Sequence, residues 1–496
     1  MSDGWRQVLL EVSGIIAWVV IFFGLIQTTV YLLQLVGAAY ALSRRPPVAR
    51  SSLLWHRYGD IAPPISLIVP AYNEQMNIVE TVHSMLSLEY PTYEVIVVND
   101  GSKDETLKRL IEAFELVSVQ RSYEETLNHE PIRGIYASPR SDRLFVVDKS
   151  NGGKADAQNA GINVSRAPIF CVIDGDSILE PDALLRAAQP FIEDPERTIA
   201  VGGTIRIANN STVESGRVKA VRLPMKILPL FQVVEYLRAF LMARLAWSQV
   251  NTLMLVSGAF GVFRRREAVA VGGFTKGSMG EDLDFVIKLH RYMLDKKKEY
   301  RIEFIPEPVC WTEAPETLAV LARQRSRWQR GALEAFFRYR SMLFNPRYGR
   351  VGFLGFGHIL IVDVLGPLME VLGYVPHAAL LVLGGAFGRT PACLHGAGLR
   401  LRRFRQRRLT DPGGTGVETL SAPSRPRDPD PCCRCGEFRL SADQQFLARK
   451  GILAVSARRQ QLGRDDPDRL FEARLKAISL TKRRFPRSGS IRPVPW

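Results

Sequence analysis

ISLIVPAYNEQMNIVETVHSMLSLEYPTYEVIVVNDGS, residues 65–102, holds two short apolar runs, ISLIVP and YEVIVV, separated by a stretch of helical period. Each run is apolar without alternation, so both faces of each strand must be covered; a strand with one wet face would alternate apolar and polar residues. The spacing predicts strand, helix, strand, with the helix from about Asn77 to Leu88 and Asn77 and Glu80 placed as a capping box. Two further runs, LFVVD ending at Asp148 and APIFCVID ending at Asp174, continue the pattern. The expectation is an α/β domain, a mainly parallel sheet with helices on both faces.

Upstream, Val12 to Ser43 carries no charge. It exceeds the roughly 20 residues that cross a bilayer, so residues 12–43 read as a transmembrane helix behind an N-terminal segment 1–11. That segment holds Asp3, Arg6 and Glu11, unlike the basic front of a cleaved leader. Arg44, Arg45, Arg50 and Arg57 fall in the linker 44–64, and the positive-inside tendency places the chain beyond them in the cytoplasm. Residues 65–345 form the expected α/β domain. Within it, Leu223 to Val262 mixes apolar clusters with Lys226, Glu235, Arg238 and Arg244, and reads either as an amphipathic helix at a membrane surface or as a core helix. Residues 352–375 form a second candidate span in which Asp363 and Glu370 must face protein or water. The apolar segment 376–388 is too short for a third.

The formal net charge of +16 suggests a polyanion partner until it is located. After Gly388 there are 24 Lys and Arg against 10 Asp and Glu; before it the count is 42 against 40. The tail 389–496 has 21 Arg but three Lys, with frequent Pro, which points to a shifted reading frame, a disordered basic tail being the alternative. No RNA-binding motif accompanies its arginines, which argues against nucleic acid. Cys171 and Cys310 lie in apolar runs and read as buried thiols, and Cys432, Cys433 and Cys435 are too close together for a zinc site.

In an open parallel sheet, ligands bind beyond the carboxyl ends of the strands. Those ends carry Asp100 and, across Gly175, Asp174 and Asp176. In extended chain, positions two apart point the same way, so Asp174 and Asp176 can address one point. Mg²⁺ suits such a pair, with substrate phosphates completing its shell. Asp-Gly-Asp is equally the composition of a surface turn.

PAYNE (70–74), VNDGS (98–102), NGGKADAQNAGI (151–162), GED (280–282) and QRSRW (324–328) occur in this order. The set resembles the membrane-bound family 2 glycosyltransferases, especially the processive branch that includes cellulose, chitin, hyaluronan and poly-N-acetylglucosamine synthases. The resemblance implies a GT-A nucleotide-sugar-binding domain flanked by transmembrane helices, an inverting mechanism and a Mg²⁺ or Mn²⁺ cofactor. It implies that Ala71, Tyr72, Glu74 and Asp100 cradle uracil and ribose, with Lys154 near the base or the diphosphate. It further implies Asp176 as metal ligand, Asp174 on the nucleotide or the ion, and Asp282 as general base with Glu281 behind it.

Inversion requires a carboxylate within reach of the attacking hydroxyl, and the departing diphosphate requires cations. Arg325 and Arg327 supply guanidinium forks that match phosphate oxygens. If Glu316 to Arg340 is helical, Gln324 and Trp328 share a face and can meet an acceptor sugar; the competing reading is a basic interfacial helix anchored by Trp328. The expected partners are a UDP-sugar donor, a glycan acceptor, the lipid bilayer of a bacterial inner membrane and an accessory membrane subunit. The expected activity is transfer of N-acetylglucosamine to a growing polysaccharide. Transfer to a lipid or small acceptor, and an inactive nucleotide-sugar receptor or scaffold, stand as alternatives. Processive relatives carry further membrane helices after QRxRW, which this sequence begins and then breaks off near Gly388.

Overall fold

Along the first strand, neighbouring side chains enter different cores. Leu67 and Val69 pack with Val95, Val97 and Ile78 on one face, while Ile68 packs with Ile96, Val98 and Ile162 on the other. This two-sided burial is why the strand sequences show no alternation. The computed structural model describes residues 3–44, 51–214 and 217–382.

Among these residues twelve strands form: β1 (Ile65–Ala71), β2 (Tyr93–Asp100), β3 (Val117–Ser118), β4 (Ile132–Ser138), β5 (Ser141–Lys149), β6 (Ile169–Val172), β7 (Ile178–Leu179), β8 (Thr198–Ile207), β9 (Thr212–Glu214), β10 (Arg217–Ala220), β11 (Gly261–Arg264) and β12 (Arg301–Thr312). Ten build one sheet in the order β3-β4-β5-β2-β1-β6-β11-β8-β12-β7, and β9 and β10 make a separate hairpin. The block β5-β2-β1-β6 is parallel throughout, and β12 runs parallel to β8. β11 is antiparallel to both its neighbours. In the parallel block the carboxyl ends line up, so residues 72–74, 101–104, 150–154 and 174–176 emerge along one edge.

The helix after β1 spans Ile78–Leu86, and Asn77 precedes it without a side-chain cap. The expected capping box does not form: Asn77 has helical backbone angles, φ −114° and ψ −19°, and its N–H, which the Glu80 carboxylate would need, already donates to the Glu74 carbonyl at 3.1 Å. The QRSRW motif lies in a helix over Leu318–Arg338, started by Thr317, whose hydroxyl accepts from the Val320 N–H. Cys171 and Cys310 are buried free thiols.

The ambiguous segment after Leu223 is helical over Ile227–Tyr236 and Ala243–Gln249, joined by a π-turn at Leu237–Met242. Gln232, Tyr236, Arg244 and Leu245 are buried, whereas Ile227, Leu230 and Leu237 are exposed, so one face is core and the other apolar surface. A 42-residue helix, Asp3–Arg44, approaches this segment where Gly37 meets Ala246. A second helical run, Val351–Val382, contains π-turns at Val351–Gly355 and Ile359–Leu365. Glu11–Arg44 and Val351–Pro376 are long and apolar enough to cross a membrane. Residues 383–388 and the basic tail 389–496 lie outside the described residues.

The helix carrying NGGK, Lys154–Val164, is pressed against the sheet: a Cβ on Gly161 would stand 2.3 Å from Ile68 Cγ2. Gly161→Ala is therefore expected to cost about 1–3 kcal/mol through overpacking. Thermal melting in detergent should register a lower Tm, and an unchanged Tm would refute this packing argument.

Candidate active site

The loops leaving β1 and β2 are tied to each other. The Asn73 N–H donates to Ser102 Oγ at 3.0 Å, the Glu74 N–H to Thr106 Oγ1 at 2.9 Å and the Gln75 N–H to Asp104 Oδ2 at 3.1 Å. Asn73 takes a left-handed turn, φ 56°, and leaves Tyr72 exposed beyond the buried Ala71. Asp104 and Thr106 escaped the sequence reading; a run of Asp and Thr at a helix start was the available signal.

Asp100 is buried and turned toward its own chain. Oδ1 accepts from Lys149 Nζ at 2.7 Å and the Gly152 N–H at 3.0 Å; Oδ2 accepts from the Gly153 N–H at 2.7 Å and Asn151 Nδ2 at 3.3 Å. With its acceptor positions filled, the carboxylate shapes the Asn-Gly-Gly turn instead of projecting toward a nucleotide. Gly101 permits this arrangement, since its φ is 65° and a Cβ there would stand 2.7 Å from the Asn151 nitrogen. Lys149 is fully buried, and its ammonium also meets Asp156 Oδ1 at 2.5 Å.

At the far end of that turn Lys154 reaches across the cleft. Its ammonium lies 2.7 Å from Asp174 Oδ1 and 2.9 Å from Glu281 Oε1. Desolvation works against its charge, but the two carboxylates outweigh that and raise its pKa. Burial, with Asp176, Asp104 and Asp174 nearby, pushes Glu74 up to about 7. Loss of hydration inside the cleft, with Asp174 beside it, pushes Asp176 up to about 6, although the residue is exposed at the rim. Carboxylates crowded to this degree suit a hard divalent cation. Among the described residues no three acidic, His or Cys side chains converge on one point.

Asp282 sits in the first turn of the Glu281–Asp295 helix. Its oxygens accept from the Leu283 N–H at 2.8 Å and the Gly258 N–H at 3.2 Å. Burial and then Glu281 raise its pKa, against the pull of Lys154 and the two N–H groups. Gly258 was not singled out from sequence; a Cβ there would stand 2.9 Å from Lys154 Nζ. Two helices meet at glycine backbones nearby, because a Cβ on Gly331 would come within 2.8 Å of Gly280. The QRSRW helix and the GED turn are thereby set at a fixed distance.

On the QRSRW helix, Arg325 forks onto Glu235 at 2.7 and 2.6 Å and lies over the Trp328 ring at 4.5 Å. Its guanidinium is thus committed to a carboxylate of the Ile227–Tyr236 helix, and Arg327 is the exposed arginine of the expected pair. Trp328 packs near Phe240, with ring centroids 6.2 Å apart. Gln324 has a buried Oε1 with no hydrogen-bond partner. Tyr236 and Arg244, buried on the opposing helix, were also missed from sequence.

A doubly covered sheet whose loops gather carboxylates and one bridging lysine at the carboxyl edge has the arrangement of a GT-A domain. The Glycosyl transferase family 2 profile matches residues 66–269, and the Glycosyl transferase family group 2 profile matches residues 169–388. The chain belongs to the family 2 glycosyltransferases.

It is 29% identical over 299 residues to the poly-beta-1,6-N-acetyl-D-glucosamine synthase of Staphylococcus epidermidis, covering 60% of this chain and 61% of that one. With the Staphylococcus aureus synthase it shares 29% identity over 274 residues, 55% of this chain and 56% of the relative. The chain thus spans about three fifths of the length of these relatives. Among solved structures, a mannosyltransferase from Pyrobaculum calidifontis, in complex with GDP-Man and Mn²⁺, superposes with a TM-score of 0.53 at 18% identity, covering 81% of this chain and 94% of that one. That likeness establishes the GT-A fold.

Replacing Lys149 by Met would leave the buried Asp100 and Asp156 without their shared cation. Stability is expected to fall by about 3–5 kcal/mol. Chemical denaturation of the purified chain should show the loss, and a change under about 1 kcal/mol would remove Lys149 from this role.

Proposed function

We propose that the chain is an inverting membrane glycosyltransferase that moves N-acetylglucosamine from a UDP donor to a growing polysaccharide. The observation that carries this reading is the placement of Asp282. It is a carboxylate held by two backbone N–H groups, next to a glutamate whose other neighbour, Lys154, joins it to the Asp174 loop. The donor sugar is proposed from the similarity to poly-beta-1,6-N-acetyl-D-glucosamine synthases.

In this reading the acceptor hydroxyl oxygen bonds to the anomeric carbon as the bond from that carbon to the diphosphate breaks. UDP leaves with the bonding electron pair, and Asp282 takes the hydroxyl proton. Glu281 holds Lys154 in place, and Lys154 and Arg327 face the departing diphosphate. Ala71, Tyr72 and Glu74 line the nucleoside end, with Asp100 shaping the loop beside them. Asp176, with Asp174, would hold Mg²⁺ or Mn²⁺, which when bound offsets the charge of the diphosphate. Trp328 offers a ring for the acceptor sugar, and the free Gln324 Oε1 can accept from one of its hydroxyls.

The Asp3–Arg44 helix carries Ile15, Trp18, Phe22, Leu25 and Leu33 exposed along its length, as a lipid-facing helix would. Arg44 at its end and the arginines that follow support a catalytic domain on the cytoplasmic side of a bacterial inner membrane.

Membranes containing the full chain, supplied with UDP-N-acetylglucosamine and Mg²⁺ or Mn²⁺, should release UDP and incorporate labelled sugar, and EDTA should stop both. Asp282→Asn should cut transfer roughly 100-fold or more while UDP binding survives; full activity in that variant would remove Asp282 as base. Because its pKa is raised, Asp282 stays protonated to higher pH than an ordinary aspartate. kcat/KM should therefore fall on acidification at a pH above about 4, the usual carboxylate value. A rate that holds level down to that pH would contradict the assignment.

A further inference from the structure

Arg244 stands at the inner end of the helical segment opposite QRSRW, 6% exposed. Its guanidinium lies over the Phe240 ring, 4.2 Å from the centroid. Nη1 is buried and has no hydrogen-bond partner, and no described carboxylate lies within ion-pair distance of the group. A guanidinium keeps its charge at any physiological pH, and folded proteins rarely bury one without acceptors unless a ligand provides them. Packing on Phe240 alone would be served as well by an apolar chain.

The surroundings identify what it awaits. Asp282 is the carboxylate whose field acts on Arg244, and Tyr236, neutral because burial raises its pKa, stands nearby. Phe240, directly beneath Arg244, also packs near Trp328, the ring on the proposed acceptor side. Through the Phe240 ring, Arg244 therefore lies on the Trp328 side of the cleft, within electrostatic reach of Asp282. Lys154 occupies the diphosphate side, already engaged by Asp174 and Glu281. An unpartnered donor on the Trp328 side, away from Lys154, suits the hydroxyl oxygens of an acceptor sugar.

We infer that Arg244 is an acceptor-binding residue whose Nη1 donates to an oxygen of the terminal acceptor sugar while Asp282 takes the proton of the attacking hydroxyl. The inference rests on the proposed role of Asp282. A planar donor beside the base fixes the rotation of the sugar ring, so the correct hydroxyl meets the carboxylate. Without it, the donor still binds but activated sugar is lost to water.

The test uses the full chain in membranes with radiolabelled UDP-N-acetylglucosamine and reads the ratio of label in glycan to label in free sugar, alongside UDP affinity by calorimetry. Arg244→Met should lower the glycan-to-free-sugar ratio tenfold or more with UDP affinity within twofold of wild type. Arg244→Lys, which keeps charge but not the planar fork, should fall between the two. A ratio in Arg244→Met within twofold of wild type overturns the inference. So does loss of UDP affinity in both variants, which would make Arg244 part of the scaffold. Failure of the underlying reading gives a different pattern: a wild-type chain that releases no UDP, or an Asp282→Asn variant that transfers at the wild-type rate.

Discussion

One ammonium group sets the geometry of the cleft. Lys154 joins the turn after β5, the Asp-Gly-Asp loop after β6 and the start of the Glu281–Asp295 helix. The group retains 36% of its surface, so water screens the pairs and their contribution to folding is small. Its effect is orientation: Asp174, Glu281 and the neighbouring Asp282 take their places relative to one cation. Rigidity comes from a second lysine five residues earlier. Lys149 is fully buried, bonded to Asp100 and Asp156, and Asp100 then holds the Gly152 and Gly153 N–H groups. A dry cation fixes the turn from behind while a wet one presents it to the cleft.

Much of this was legible in the sequence, for a definable reason. The parallel block β5-β2-β1-β6 announces itself because two-sided burial removes alternation, and each of its strands ends in a polar motif at the ligand edge. The strands β8, β11 and β12 send no such local signal, since β11 runs antiparallel between β6 and β8 and its place depends on pairing across distant segments. The motif residues were found, but not always their orientation. Asp100 closes a strand where a ligand contact is expected, yet four donors from residues 149–153 claim it. Arg325 matches a phosphate fork by chemistry, yet Glu235, 90 residues earlier, takes both arms. Long-range partners decide what a motif side chain is free to do, and periodicity carries no information about them.

The helical segment 227–249 explains why its sequence supported two readings at once. Tyr236, Phe240 and Arg244 recur at four-residue spacing, which drifts around a helix of 3.6 residues per turn. The π-turn at Leu237–Met242 has a wider turn and offsets that drift, keeping the three on one face toward the cleft. The other face remains apolar, with Ile227, Leu230 and Leu237 exposed. Its neighbours include the long N-terminal helix, where Arg238 lies 4.8 Å from the Tyr31 ring centroid and Ala246 meets Gly37. The charges scattered among apolar residues therefore divide by direction: Glu235 and Arg244 serve the cleft, and Arg238 meets the long helix. A segment that belongs to both environments must look like neither a clean core helix nor a clean surface helix, and the mixed composition is the trace of that double duty.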